Sequence, residues 1–202
     1  MTALTRRLLN EASRTGPNFA MYLEELQADG TLVAFLPEVH YMTLCPQEAK
    51  YHPEGNVFEH TLAALYQNSE PCVYINVATL LHDIGKLTTY SFDGTHRYNG
   101  HAEQSEVPIR SLACRIGLPN DVRDASIFAA VNHMRLGTIR RRKKLALLVG
   151  HKYWSVLYAV FVADKASRLD AYRPDDVERV LTNAQRQYKL WVDQGESNEL
   201  FS

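Results

Sequence analysis

The sequence has no surplus of either charge: 22 Lys and Arg face 23 Asp and Glu, leaving a formal charge of −1. That balance excludes a globally basic nucleic-acid coat and a polybasic membrane protein. Cysteine is scarce. Cys45, Cys72 and Cys114 are odd in number, far apart and without a CxxC, so neither a disulfide framework nor a zinc ribbon is supported, and a reducing, cytoplasmic setting is expected. No apolar run approaches the roughly 18 residues of a membrane span, and none near the start suits a signal peptide. A soluble protein with no membrane partner is therefore expected. Long alternating apolar and polar runs are missing too, as are repeats, linkers and low-complexity segments, which leaves one all-α body.

The 202 residues are 46% apolar and 10% aromatic, enough for a buried core in one domain. Apolar spacings of three and four predict helices over about 2–13 and 17–30, with short helical pieces up to Pro37. Pro46 and Pro53 mark an irregular connection over about 43–55, after which Asn56 caps a helix over 57–68. A buried helix over 73–84 is ended by Gly85, and residues 87–100 read as loop. Further helices are expected over 101–116, 119–135, 141–168 with a break near Gly150, and 174–194.

Eight histidines are present, and their positions are informative. His60, the adjacent His82 and Asp83, His101, His133 and Asp164 fall at the ends or inner faces of successive helices. Ligands delivered in this way by different helices can meet at one point in a bundle. In LLHDIGK the imidazole and carboxylate end an apolar helix, and Asp164 lies in the apolar stretch LYAVFVADKASR. A buried carboxylate needs a cation or a hydrogen-bonding partner.

The ordered segments YLEELQADGTLVAFLPEVHYM, PQEAKYHPEGNVFEHT, LLHDIGK, YNGHAEQS, LPNDVRDASIFAAVNH and VADKASR resemble the HD-domain metal-dependent phosphohydrolase superfamily. Within it they are similar to the HD domain of bacterial tRNA nucleotidyltransferases, the CCA-adding enzymes. The likeness covers roughly residues 20–170, and implies a single HD-domain helical bundle over 1–202 with helical additions at both ends. By this resemblance His60, His82, Asp83 and Asp164 are the H, HD and D metal ligands, while His101 and His133 match histidines that can hold a second ion with Asp83 as bridge. The family's nucleotidyltransferase head, with its Gly-Ser motif and paired aspartates, has no counterpart in residues 1–20, so polymerase activity is not expected.

Imidazole and carboxylate ligands suit one or two divalent ions, with Mn²⁺, Ni²⁺, Co²⁺, Fe²⁺ and Mg²⁺ all open. The expected chemistry is attack of an ion-activated water on phosphorus, with Asp83 orienting the water or taking its proton. Lys86 either stabilises phosphoryl charge beside the ion or is an ordinary lysine at a helix end. Arg168, four residues after Asp164, reaches either a substrate phosphate or that aspartate. His52, with Glu54 and Glu59, matches residues on the approach to the family's site, and Arg97 and Tyr98 are candidates to meet a ribose or base. His40, His96 and His151 are read as surface or packing residues. The run Arg140 to Lys144 is a nucleic-acid contact or a solvated helix start. The resemblance implies a phosphohydrolase acting on nucleotide or RNA 3′-end phosphates, as 2′,3′-cyclic phosphodiesterase, 2′-nucleotidase or phosphatase. Alternatives are a hydrolase of free mono- or triphosphates and a non-catalytic RNA-binding module.

Overall fold

A computed structural model describes residues 1–50, 52–139, 141–168 and 174–193. It is an all-α bundle carrying one small hairpin. Its helices are α1 (Ala3–Ala12), α2 (Gly16–Ala28), α3 (Thr31–Phe35), α4 (Pro37–Tyr41), α5 (Val57–Leu65), α6 (Val73–Leu81), α7 (Lys86–Thr89), α8 (His101–Gln104), α9 (Glu106–Ile116), α10 (Asn120–Leu136), α11 (Arg142–Val149), α12 (Trp154–Ala166) and α13 (Pro174–Asp193). A 3₁₀ turn, Met42–Leu44, follows α4. Among the described residues no single helix is long and apolar enough to cross a membrane.

The largest core joins α1 to α6 with α9 and one face of α10, around fully buried Phe19, Leu23, Leu32, Leu65 and Ile84. The site depends on a second, smaller set: Ala78 of α6, Ala125 and Ala129 of α10, and Val156 and Val160 of α12. Three alanines at one seam let the helix backbones approach closely, and α10 packs extensively on both α6 and α12. The helices carrying the HD pair, His133 and Asp164 are thereby brought together.

Several expected boundaries move. The helix expected over 57–68 stops at Leu65, because Asn68 turns inward and donates to Asn76 and Thr79 while its carbonyl accepts from Gly16. The helix expected to reach Ile84 ends at Leu81, so His82 and Asp83 lie on tight turns. Gly85 is not a left-handed cap: its φ is −66°, and its role is close approach to α8. The expected loop 87–100 contains most of α7 and a hairpin, β1 (Ser91–Phe92) paired antiparallel with β2 (His96–Arg97). The helix expected over 101–116 breaks at Ser105, whose hydroxyl donates to the His101 carbonyl and accepts from the Gly85 N–H. The break near Gly150 is present, between α11 and α12. In the basic run, Arg141 is the N-cap of α11 and Lys143 and Lys144 are exposed; Arg140 lies outside the described residues, as does Gln194 at the expected end of the last helix.

Candidate metal centre

Six side chains separated along the chain meet at one buried point. His60 comes from the middle of α5, His82 and Asp83 from the turns after α6, His101 from the first residue of α8, His133 from the last turns of α10, and Asp164 from α12. Asp83 is the centre. Its Oδ1 faces His101 Nε2 at 3.2 Å and His133 Nε2 at 3.6 Å, while Oδ2 faces His82 Nε2 at 3.4 Å and His60 Nε2 at 3.8 Å. Asp164 Oδ1 lies 3.2 Å from His60 Nε2. His101 keeps 13% of its side chain exposed; the other five are buried to within 2%.

The hydrogen bonds on the far side of each ring decide what the near side offers. His82, His101 and His133 each place Nδ1 on the backbone carbonyl three residues earlier: Thr79 at 2.8 Å, Tyr98 at 2.8 Å and Ala130 at 2.6 Å. A carbonyl can only accept, so Nδ1 carries a proton and Nε2 is the atom turned to the cluster, a lone pair whenever the ring is neutral. His60 follows the same rule with a different acceptor, the Glu54 carboxylate at 2.7 Å. Four Nε2 atoms therefore converge on two carboxylates.

That arrangement is incomplete as protein alone. Among the described residues, His82 Nε2, both oxygens of Asp83, His101 Nε2 and Asp164 Oδ2 are buried without a hydrogen-bond partner. Asp83 Oδ2 has a charge partner in Lys86 Nζ at 2.6 Å, which leaves the imidazole nitrogens, Asp83 Oδ1 and Asp164 Oδ2 as the groups short of a partner. Buried polar atoms are ordinarily satisfied. Nitrogen lone pairs and anionic oxygens clustered in this way fit a divalent cation of the kind that mixed N and O sites hold. Two such groups, His60 with His82 and Asp164, and His82 with Asp83 and His133, have donor atoms within 4.8 Å of one another.

The electrostatics agree with an anionic pocket. Burial pushes the carboxyl of Asp83 up, but the Lys86 charge, His82 and contacts with His101 and His133 hold it well below the usual carboxylate range. Asp164 is likewise held low, with His60 and Arg168 overcoming burial. Burial opposes charge on His60 and His101, yet the facing carboxylates outweigh it and raise both, whereas at His133 burial prevails and lowers the value.

Around this cluster, Lys86 is buried and bonds Gln47 Oε1 as well as approaching Asp83. Arg168 Nη2 donates to Asp164 Oδ1 at 2.7 Å, while its Nε has no partner among the described residues. Lys86, His101, His52, Arg97 and Arg168 line one cleft of about 520 Å³ that opens onto the cluster. The Arg97 side chain is exposed at its rim and paired with Asp93 at 2.9 Å. Tyr98 is half-buried, its hydroxyl donating to the Pro46 carbonyl. Glu59 does not join the site: it is exposed on α5, where its backbone N–H donates to the Asn56 cap. His40 bonds Gln27, His151 stacks on Phe128 at 3.7 Å and His96 packs on the hairpin, none of them at the cluster.

Glu54 has a larger part than its sequence position advertises. One oxygen accepts from both His60 and His52, and these bonds overcome burial and hold its carboxyl at about 2. His52 is lowered to about 4 by burial and the neighbouring His60, so it is neutral near pH 7. Carboxylates behind a metal-ligating imidazole fix its tautomer and raise its basicity. Glu54→Gln is expected to weaken divalent-metal affinity about 10–100-fold with helix content unchanged, as read by competition against a fluorescent chelator. Unchanged affinity would reduce Glu54 to a loop anchor. Gln47 and Ser167, which donates to the Asp164 carbonyl, were not expected from sequence; neither residue type stands out in a loop or at a helix end.

Part of the chain is similar to curated proteins named Multifunctional CCA protein. The match to that of Dechloromonas aromatica is 36% identical over 124 residues, 60% of this chain and 29% of the relative. Those of Methylobacillus flagellatus and Shewanella denitrificans are 32% and 31% identical over 127 and 118 residues, covering 62% and 57% of this chain and 31% and 28% of each relative. The chain thus matches less than a third of the length of these relatives. No protein-family model matches the sequence. No solved structure matches it either.

Proposed function

We propose that this chain is a divalent-metal-dependent phosphohydrolase of the HD type acting on nucleotide or RNA-terminal phosphoesters. The single observation behind this reading is the set of four imidazoles whose Nδ1 atoms are engaged outward and whose Nε2 atoms meet the Asp83 and Asp164 carboxylates at one buried point. His60, His82 and Asp164 would hold one ion and His101 and His133 a second, with the Asp83 carboxylate between the two groups. A bound divalent ion supplies Lewis acidity towards phosphoryl oxygens and a nucleophilic water near neutral pH.

The chain's own groups carry the remaining work. The Lys86 ammonium is anchored by Gln47 and ion-paired with Asp83, and it lines the cleft, where it would meet a phosphoryl oxygen. Arg168 is oriented by Asp164, and its unpartnered Nε supports a role as phosphate donor rather than as a structural link alone. Charge placed in advance at such positions stabilises developing negative charge without reorganisation. Asp83, ionised and central, is the group to orient the attacking water. The relatives' name, Multifunctional CCA protein, favours an RNA 3′ end as the source of the phosphoester.

The purified chain assayed with Mn²⁺, Ni²⁺, Co²⁺ or Mg²⁺ is expected to hydrolyse 2′,3′-cyclic nucleotides in preference to deoxynucleoside triphosphates, and to lose activity on chelation. The activating ion should also raise the melting temperature, by about 5–10 °C at a hundred times its dissociation constant. Preference for triphosphates would favour the free-nucleotide hydrolase. Absence of turnover with every metal, together with tight tRNA binding, would favour the non-catalytic module.

A further inference from the structure

A row of aromatic rings beside the cleft is not used by the hydrolytic reading. Tyr90 is 46% exposed and Phe92 62% exposed at the hairpin. The Phe92 ring centre lies 5.1 Å from that of His96, His96 stacks with Tyr90 at 5.8 Å, and Tyr90 lies 5.5 Å from Tyr98. Lys86 Nζ stands 5.6 Å over the Tyr98 ring and 2.6 Å from Asp83. The rings therefore run unbroken from the outer surface to the ammonium group at the metal cluster. His96 and Tyr98 line the same cleft as Lys86 and Arg168.

The hairpin is held in place despite having two residues per strand, too few for an independent ladder. Asp93 accepts from Thr95 and Arg97, and Glu48 accepts from the His96 N–H. Single exposed apolar residues are common on protein surfaces; a braced set beside a cationic cleft is a different case. Bases stack on aromatic faces while cations take the phosphates, and this pairing is how single-stranded ends and nucleotides are gripped.

We propose that the hairpin is a base-stacking ledge, on which Phe92 and Tyr90 receive the nucleobase of a ligand whose phosphate enters the cleft toward Arg168 and Lys86. The shared chemistry is a base joined through ribose to a phosphate, as in a mononucleotide or at the 3′ end of a single strand. The path of the phosphate rests on the phosphohydrolase reading; the stacking is tested without turnover.

Binding would be measured by calorimetry, with chelator present, for a nucleoside 3′-monophosphate, a short single-stranded RNA with a 3′-phosphate, and base-free glycerol 2-phosphate. Tyr90→Ala combined with Phe92→Ala is expected to raise the Kd of the base-bearing ligands at least about tenfold, within the range measured for one lost stack, and to leave glycerol 2-phosphate unchanged. Phe92→Leu keeps the apolar contact with His96 and should show the loss at unchanged melting temperature; Phe92→Trp should not show it. An effect on RNA alone identifies a strand end as the ligand, and an equal effect on the mononucleotide identifies the reacting nucleotide's own base. Equal weakening of glycerol 2-phosphate, or no weakening at all, overturns the ledge. Ledge-dependent binding by a chain that hydrolyses nothing would uphold the ledge and overturn the hydrolytic reading.

Discussion

Asp83→Asn is expected to abolish metal-dependent hydrolysis, on the order of 10³-fold or more, the scale on which removing one charge-stabilising group in a site acts. The side chain keeps its volume, so the bundle should stay folded. What changes is the group whose two oxygens face all four imidazoles, at 3.2–3.8 Å. An amide replaces one anionic oxygen by an N–H₂ donor, which cannot ligate a cation and which pairs instead with a histidine lone pair. Metal uptake should fall with activity. Asp164→Asn should act in the same direction but spare the His101 and His133 side, and the double variant should be little worse than Asp83→Asn alone, because groups that act as a unit are not additive. Hydrolysis left intact in Asp83→Asn would remove the metal mechanism.

The members of the cluster stood out in the sequence because the residue types are conspicuous: an adjacent His and Asp after an apolar helix, and a carboxylate in LYAVFVADKASR, are costly to bury without a partner. Their convergence was readable only as a hypothesis, since it depends on the alanine seam of Ala78, Ala125 and Ala129, and alanine is unremarkable in any helix. The acceptors that set the tautomers were not readable. Thr79, Tyr98 and Ala130 contribute backbone carbonyls, which every residue has, so no side-chain pattern marks them. Glu54 could be noticed only by its closeness to His52 in sequence, and its bond to His60 depends on how the 45–56 connection folds back. The hairpin escaped detection because strands of two residues leave no alternation to find.

Gly85 shapes the site through space rather than backbone conformation, and this yields the second large prediction. A glycine after a helix ordinarily signals a left-handed cap, yet at φ −66° and ψ −16° alanine would be at ease in the backbone. The constraint is space. A Cβ at this position would stand 2.0 Å from the His101 carbonyl oxygen, 2.7 Å from Ser105 Oγ and 2.8 Å from Ser105 N. Two of those atoms are backbone and cannot rotate aside, so α8 must move outward and carry His101 away from Asp83. Gly85→Ala should therefore cost about 1–3 kcal/mol in denaturant unfolding, the range for overpacking, and should also lower metal uptake. His101→Ala separates the two effects: it removes the ligand without crowding the helix, so it should share the metal defect while leaving the unfolding midpoint of the chelated protein nearly unchanged. A Gly85→Ala protein with normal stability and normal metal uptake would mean that α8 can yield without disturbing His101, and the close approach at Gly85 would then have no part in building the site.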